Sequence, residues 1–218
     1  MEKLESKWPE RVAKSKIKEM GRKQNAVVSY VLNSPNYKDV NLRMGYYSKV
    51  IQEGDFETLN LLELFLKNKL KKKFENVNLH FVKKNSQFAV GFGLVTKPGG
   101  IEPEVNKMLT IISKMLKEKA FSENDFRQLK GQLKLEFLQQ NQTARLQMEN
   151  FVSNRFDGFD DKMLKEYFSR LDKVSLELFY QRTRKYLSPK NFNLFLVGQV
   201  EQIKPHLKTW GPVKTLEF

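Results

Sequence analysis

The sequence predicts an α+β fold: a mostly antiparallel sheet with helices packed on one face. Three observations predict it. β-Branched and aromatic runs cluster before residue 97, long apolar stripes at helical spacing fill the middle, and one more apolar run comes late, at Phe192–Val197. Strands early, helices in the middle and a late strand that pairs back with the early ones leave one sheet with its helices on a single side.

In chain order, residues 1–24 are charged and read as an entry segment, with an edge strand expected around Val12 to Met20. Residues 25–218 read as a single α/β domain. Asn25 to Leu32 is a buried strand that stops at Asn33-Ser-Pro35. Residues 36–53 stay ambiguous: Val40, Leu42, Met44 and Tyr46 alternate as in a strand, but the run also reads as the approach to a helix. From Asp55, expected as an N-cap, Leu59, Leu62, Leu66 and Leu70 recur at three- and four-residue steps, with Phe65 widening the stripe.

Val77–Val82 and Gln87–Thr96 around Lys83–Ser86 read as a hairpin. Gly91-Phe-Gly93 within it reads as a bulge or tight sheet packing, ahead of a close approach by a bound peptide strand. Pro98-Gly-Gly100 breaks the chain before a helix over 102–119. Ser122 caps a third helix carrying Phe126, Leu129, Leu133 and Phe137, extended in this reading to Phe151. Further helices are expected over 162–171 and from the cap Ser175, with Leu178, Phe179 and Tyr186 inward. Pro189 stops that helix, Gly198 ends the last strand, and Gly211 closes a terminal helix.

The chain has 218 residues, 40% of them hydrophobic, which is enough for a sizeable core. It has no cysteine, so disulfides, thiolate zinc sites and cysteine nucleophiles are excluded. That leaves the compartment open, with cytoplasm and periplasm both compatible. Neither a secretory signal at Met1–Trp8 nor a membrane span is expected. The net charge of +14 comes mostly from lysine. It reads first as a solvated surface and second as a binder of nucleic acid or an acidic partner. No Gly-x-Ser-x-Gly or phosphate-loop pattern occurs.

An ordered set of segments carries a resemblance. Leu171-Asp-Lys-Val-Ser-Leu-Glu-Leu-Phe-Tyr180 precedes Arg184-Lys-Tyr-Leu-Ser-Pro-Lys-Asn191, then Phe195-Leu-Val-Gly198 and Leu207-Lys-Thr-Trp-Gly-Pro-Val213. Ala120-Phe-Ser-Glu-Asn-Asp-Phe and Gln24-Asn-Ala-Val-Val-Ser-Tyr30 lie upstream in matching order. Over roughly residues 20–215 the chain resembles a non-metal-binding domain of the pitrilysin/insulinase zinc metallopeptidases.

In that family one domain carries His-x-x-Glu-His, which sets two imidazoles on one helical face for zinc beside a water-activating Glu. Here the histidines are only His80 and His206, so the resemblance implies no cofactor in this chain and zinc in a partner domain. It also implies a non-catalytic role: enclosing a peptide chamber, binding peptide substrate and pairing with a metal-bearing half. Later family domains assist with an Arg and a Tyr. At the matching positions this chain has Lys71, Lys72 and Lys73, then His80 or Phe81, so that assisting role is not carried over. Lys71, Lys72, Lys73 and His80 remain the candidate substrate-binding residues, each weighed against a plainer reading as a solvated helix end or a half-exposed strand residue. Nucleic acid ranks below a peptidase half as partner, because arginine is sparse and no RNA- or DNA-binding signature occurs.

Overall fold

The computed structural model describes residues 28–52, 54–74, 76–84, 87–117, 121–156, 165–188 and 191–216. The expected entry segment, its strand around Val12–Met20, the start of the helix expected at Lys162, and Pro189 lie outside these residues.

Six strands form one sheet in the order β3-β4-β2-β5-β1-β6. They are β1 (Ser29–Asn33), β2 (Val40–Val50), β3 (Asn78–Lys84), β4 (Gln87–Thr96), β5 (Asn193–Gly198) and β6 (Val213–Leu216). The late strand β5 enters between β1 and β2, as its apolar run requires. It runs parallel to β1 and antiparallel to β2. The β3-β4 and β4-β2 pairs are antiparallel, and β6 is parallel to β1. Antiparallel pairing predominates, yet the sheet is mixed.

The ambiguous run resolves over Val40–Val50 as strand β2, because Val40, Leu42 and Met44 put one apolar face on the core. Leu42 lies between Leu94 and Leu196, and Met44 between Phe92 and Leu194. The register runs regularly through Gly91–Gly93, so of the two alternatives there, a bulge or tight sheet packing, the bulge is absent. The irregularity falls instead between Tyr47 and Val50.

The helices are α1 (Phe56–Lys71), α2 (Ile101–Lys117), α3 (Glu123–Gln140), α4 (Ala144–Phe156), α5 (Tyr167–Asp172), α6 (Leu176–Tyr186) and α7 (Val200–Ile203). In α1, Leu59, Leu62, Leu66 and Leu70 are all buried, as their spacing predicts. Ser122 accepts from the Asp125 backbone N–H while Asp125 reaches back to Ser122, a complete capping box. Ser175 accepts from the Leu178 backbone N–H.

Three expectations need correction. The third helix does not continue to Phe151. Asn141 leaves helical geometry, its side chain donating to the Phe137 carbonyl at 2.7 Å, and Thr143 Oγ1 accepts from the Leu146 N–H at 3.2 Å to start α4. Gly211, at φ +76°, turns the chain into the unforeseen edge strand β6 instead of closing a helix. Asp55 stands at the N-cap position of α1 but makes no capping bond, because its backbone is already αR, where the side chain cannot reach back to the first turn.

The Asp55 carboxylate turns inward instead. Its Oδ1 lies 2.9 Å from Arg182 Nε and its Oδ2 2.8 Å from Lys185 Nζ. Tyr186 Oη donates to Asp55 Oδ2 at 2.5 Å and accepts from the Gln52 backbone N–H at 3.0 Å. Arg182 also donates to the Gly54 carbonyl. This cluster ties the start of α1 to α6, more than a hundred residues later in the chain.

Two residues on, Glu57 is only 1% exposed and pairs with Arg170 Nε at 2.9 Å. Burial holds the Glu57 carboxyl above its ordinary value, against the opposing pull of Arg170. A carboxyl raised on folding binds its proton more tightly in the native state, so its stability contribution is full below the ordinary value of 4.5 and falls as pH rises through the folded value. Wild type is therefore expected to lose stability relative to Glu57→Gln between pH 4.5 and neutrality. Parallel urea titrations across that range check this, and equal pH slopes would contradict it.

Candidate functional site

Among the described residues, the helices pack on one face of the sheet and none covers the other. Along the covered face lie Val31, Leu42, Met44, Val90, Phe92 and Leu196, all buried. Because side chains alternate, the residues between them project from the open face.

Two regions make up that face. Across β6, β1 and β5, Lys214 pairs with Tyr30 and Tyr30 with Phe195. The Tyr30 and Phe195 rings stack with centroids 4.9 Å apart and planes 9° from parallel. Lys214 Nζ stands 5.8 Å from the Tyr30 centroid, within cation–π reach. Across β2, β4 and β3 lies a short glycine trough: Gly45 faces Gly91, the side chain of His80 bounds it, and Gly93 is buried between Arg43 and Asn78. Val95 and Val82, 60% and 50% exposed, flank the trough, and Phe195 is 44% exposed. Exposed apolar side chains around a glycine floor make a surface that another polypeptide can approach closely.

His80 sits on this face, its Cβ beside Gly91, and is exposed. Lys71, Lys72 and Lys73 do not join it. Lys71 ends α1, Lys72 and Lys73 follow it, and all three are exposed, favourable to the C-terminal end of the helix dipole. Sequence reading missed Tyr30, Phe195 and the Gly45–Gly91 line as parts of one surface. Each was legible as an outward residue of its strand, but the pairing of β5 with both β1 and β2 was not.

Among the described residues, no group of three His, Cys, Asp or Glu side chains is placed to hold a metal ion. His80 lies on β3 and His206 in the 3-10 turn Lys204–Leu207, so the pair does not fit the zinc site of the resembled family. Among the same residues, no helix is long and apolar enough to cross a membrane.

No family model matches the sequence, and no curated protein matches it. Solved structures do. The periplasmic protease PqqL from Escherichia coli superposes with a TM-score of 0.66 at 13% identity, over 80% of this chain and 21% of that one. A peptidase M16 inactive domain from Pseudomonas fluorescens superposes at 0.65 and 12% identity, over 88% of this chain and 45% of that one. A protease from Helicobacter pylori gives 0.65 and 13%, over 79% and 45%. This chain therefore spans less than half the length of each of these solved chains. Its mixed sheet with helices on one side has the same α+β fold as the solved peptidase M16 inactive domain.

Proposed function

We propose that the chain is the non-catalytic domain of a zinc metallopeptidase, its open sheet face forming one wall of a peptide chamber closed by a metal-bearing half. The observation that carries this reading is the uncovered face itself, with its glycine trough and its stacked Tyr30–Phe195 pair. A six-stranded sheet face that none of the described helices covers is a surface a partner can occupy. In this arrangement His80 faces the peptide. Lys71, Lys72 and Lys73 supply basic surface to the substrate or to the zinc-bearing half, where a net charge of +14 steers an acidic partner.

The test mixes this chain with the zinc-bearing half of its parent protein, or with the zinc peptidase encoded by a neighbouring gene, and follows cleavage of a fluorogenic peptide library. The expected result is silence from this chain alone and chelator-sensitive cleavage by the mixture, beyond that of the zinc-bearing half alone. Cleavage by the isolated chain would overturn the reading, and so would failure of the two to associate.

A further inference from the structure

The strands carry charge of one sign. None of the six contains an Asp or Glu, although the chain has 25. On the open face one transverse row runs Gly93, Arg43, Phe195, Tyr30 and Lys214, across β4, β2, β5, β1 and β6. It sets a cation at each end of the stacked pair of rings. Asp39, just before β2, is neutralised by its own ion pair with Lys97.

Arg43 is the residue of this row fitted to a specific ligand. Because Gly93 has no side chain, the Arg43 stem leans over it, its Cγ 3.8 Å from the point a Gly93 Cβ would occupy. The stem is held on the sheet, yet Arg43 is exposed, and among the described residues its guanidinium has no hydrogen bond or ion pair. A planar fork of N–H donors without a partner matches a carboxylate at two points. A chain lying in the trough at Gly45 and Gly91 passes two residues along β2 from Arg43, about 7 Å away and within reach of an acidic side chain. On the other side of Arg43 the next row, Val95, Asn41 and Val197, is largely apolar.

From this row we propose that the open face selects acidic peptides, pairing an Asp or Glu side chain with Arg43 while apolar neighbours lie over the valines and the glycine floor. The inference rests on the chamber-wall reading for its occupant and adds the class of substrate. Ring geometry argues against single-stranded nucleic acid, whose bases stack on open ring faces. Here Tyr30 and Phe195 face each other, and Lys214 stands beside Tyr30 on its other side. The pair turns its ring edges outward, and those edges are the positive rim of the aromatic quadrupole.

Fluorescence polarisation with three labelled nonapeptides tests this, all with the same Val and Ser flanks and a central Glu, Gln or Lys. The Glu peptide is expected to bind this chain about fivefold more tightly than the Gln peptide, the upper end for an ion pair at a surface, with the Lys peptide weakest. Arg43→Gln should erase that preference without changing affinity for the Gln peptide. A triple variant, Lys71→Gln with Lys72→Gln and Lys73→Gln, removes more charge at the end of α1 and should keep the preference, which separates a site from the net field of the chain. Equal binding of the Glu and Gln peptides, no binding of any peptide, or a preference that survives Arg43→Gln or vanishes in the triple variant overturns the inference. So does oligothymidine binding more tightly than the Glu peptide and released by Arg43→Gln. Cleavage by the mixture with the zinc-bearing half is read separately. Equal cleavage of the Glu and Gln peptides sinks this inference and leaves the chamber reading standing, whereas Arg43-dependent binding with no cleavage sinks the chamber reading alone.

Discussion

Replacing Asp55 by alanine is expected to destabilise the domain by about 3 kcal/mol, the scale set by removing one partner of a buried ion pair. Asp55 is 4% exposed and serves three groups at once: Arg182, Lys185 and the Tyr186 hydroxyl. Without it Tyr186, itself 1% exposed, keeps only the Gln52 N–H at its oxygen, and its proton has no buried acceptor. Burial, the first cause that holds the hydroxyl above the usual tyrosine value, persists without Asp55 and opposes its ionisation. Arg182 keeps the Gly54 carbonyl but loses its counter-ion.

Thermal unfolding should show a fall in Tm of roughly 10 °C for a domain of this size. Asp55→Asn preserves an acceptor for Tyr186 while removing the charge, so it should lie between wild type and Asp55→Ala. If Asp55→Ala unfolds within experimental error of wild type, the cluster does not anchor α1 to α6. Full loss in Asp55→Asn as well would assign the effect to charge and not to the tyrosine bond.

That cluster also marks where sequence reading stops. The apolar periodicity of α1 was visible residue by residue, because burial of Leu59, Leu62, Leu66 and Leu70 depends only on spacing along one helix. The caps at Ser122 and Ser175 were equally local. An acid before an apolar helix reads as a cap by the same local logic, and Asp55 fails that reading because its partners lie on α6, outside any local window. Strand β6 escaped for a different reason. Val213-Lys-Thr-Leu216 is short and largely exposed, and it pairs only with β1, so no apolar run announces it. The open face follows the same division. Its residues were legible as the outward half of each strand, whereas their assembly into one surface depends on β5 inserting between β1 and β2.

The open face gives the second large effect. Gly91 has no positive φ, and a Cβ built on it meets only the His80 Cβ, at 4.0 Å, so Gly91→Trp is admitted without backbone strain. Its indole would occupy the line from Gly45 to His80, where the trough lacks side chains. Core packing is untouched, since Val90 and Phe92 on either side point to the opposite face. Stability should therefore stay within about 0.5 kcal/mol of wild type, as for surface changes in general. In the reassembled peptidase, however, kcat/KM for peptide cleavage should fall at least about tenfold, equivalent to about 1.4 kcal/mol of lost interaction. A tryptophan at exposed Met148 on α4, off this face, should leave cleavage unchanged. Native-like stability with full cleavage by Gly91→Trp would show that peptide does not pass over this sheet. A selective loss confined to Gly91→Trp would assign the uncovered face to substrate, because the same indole on the helical side leaves cleavage intact.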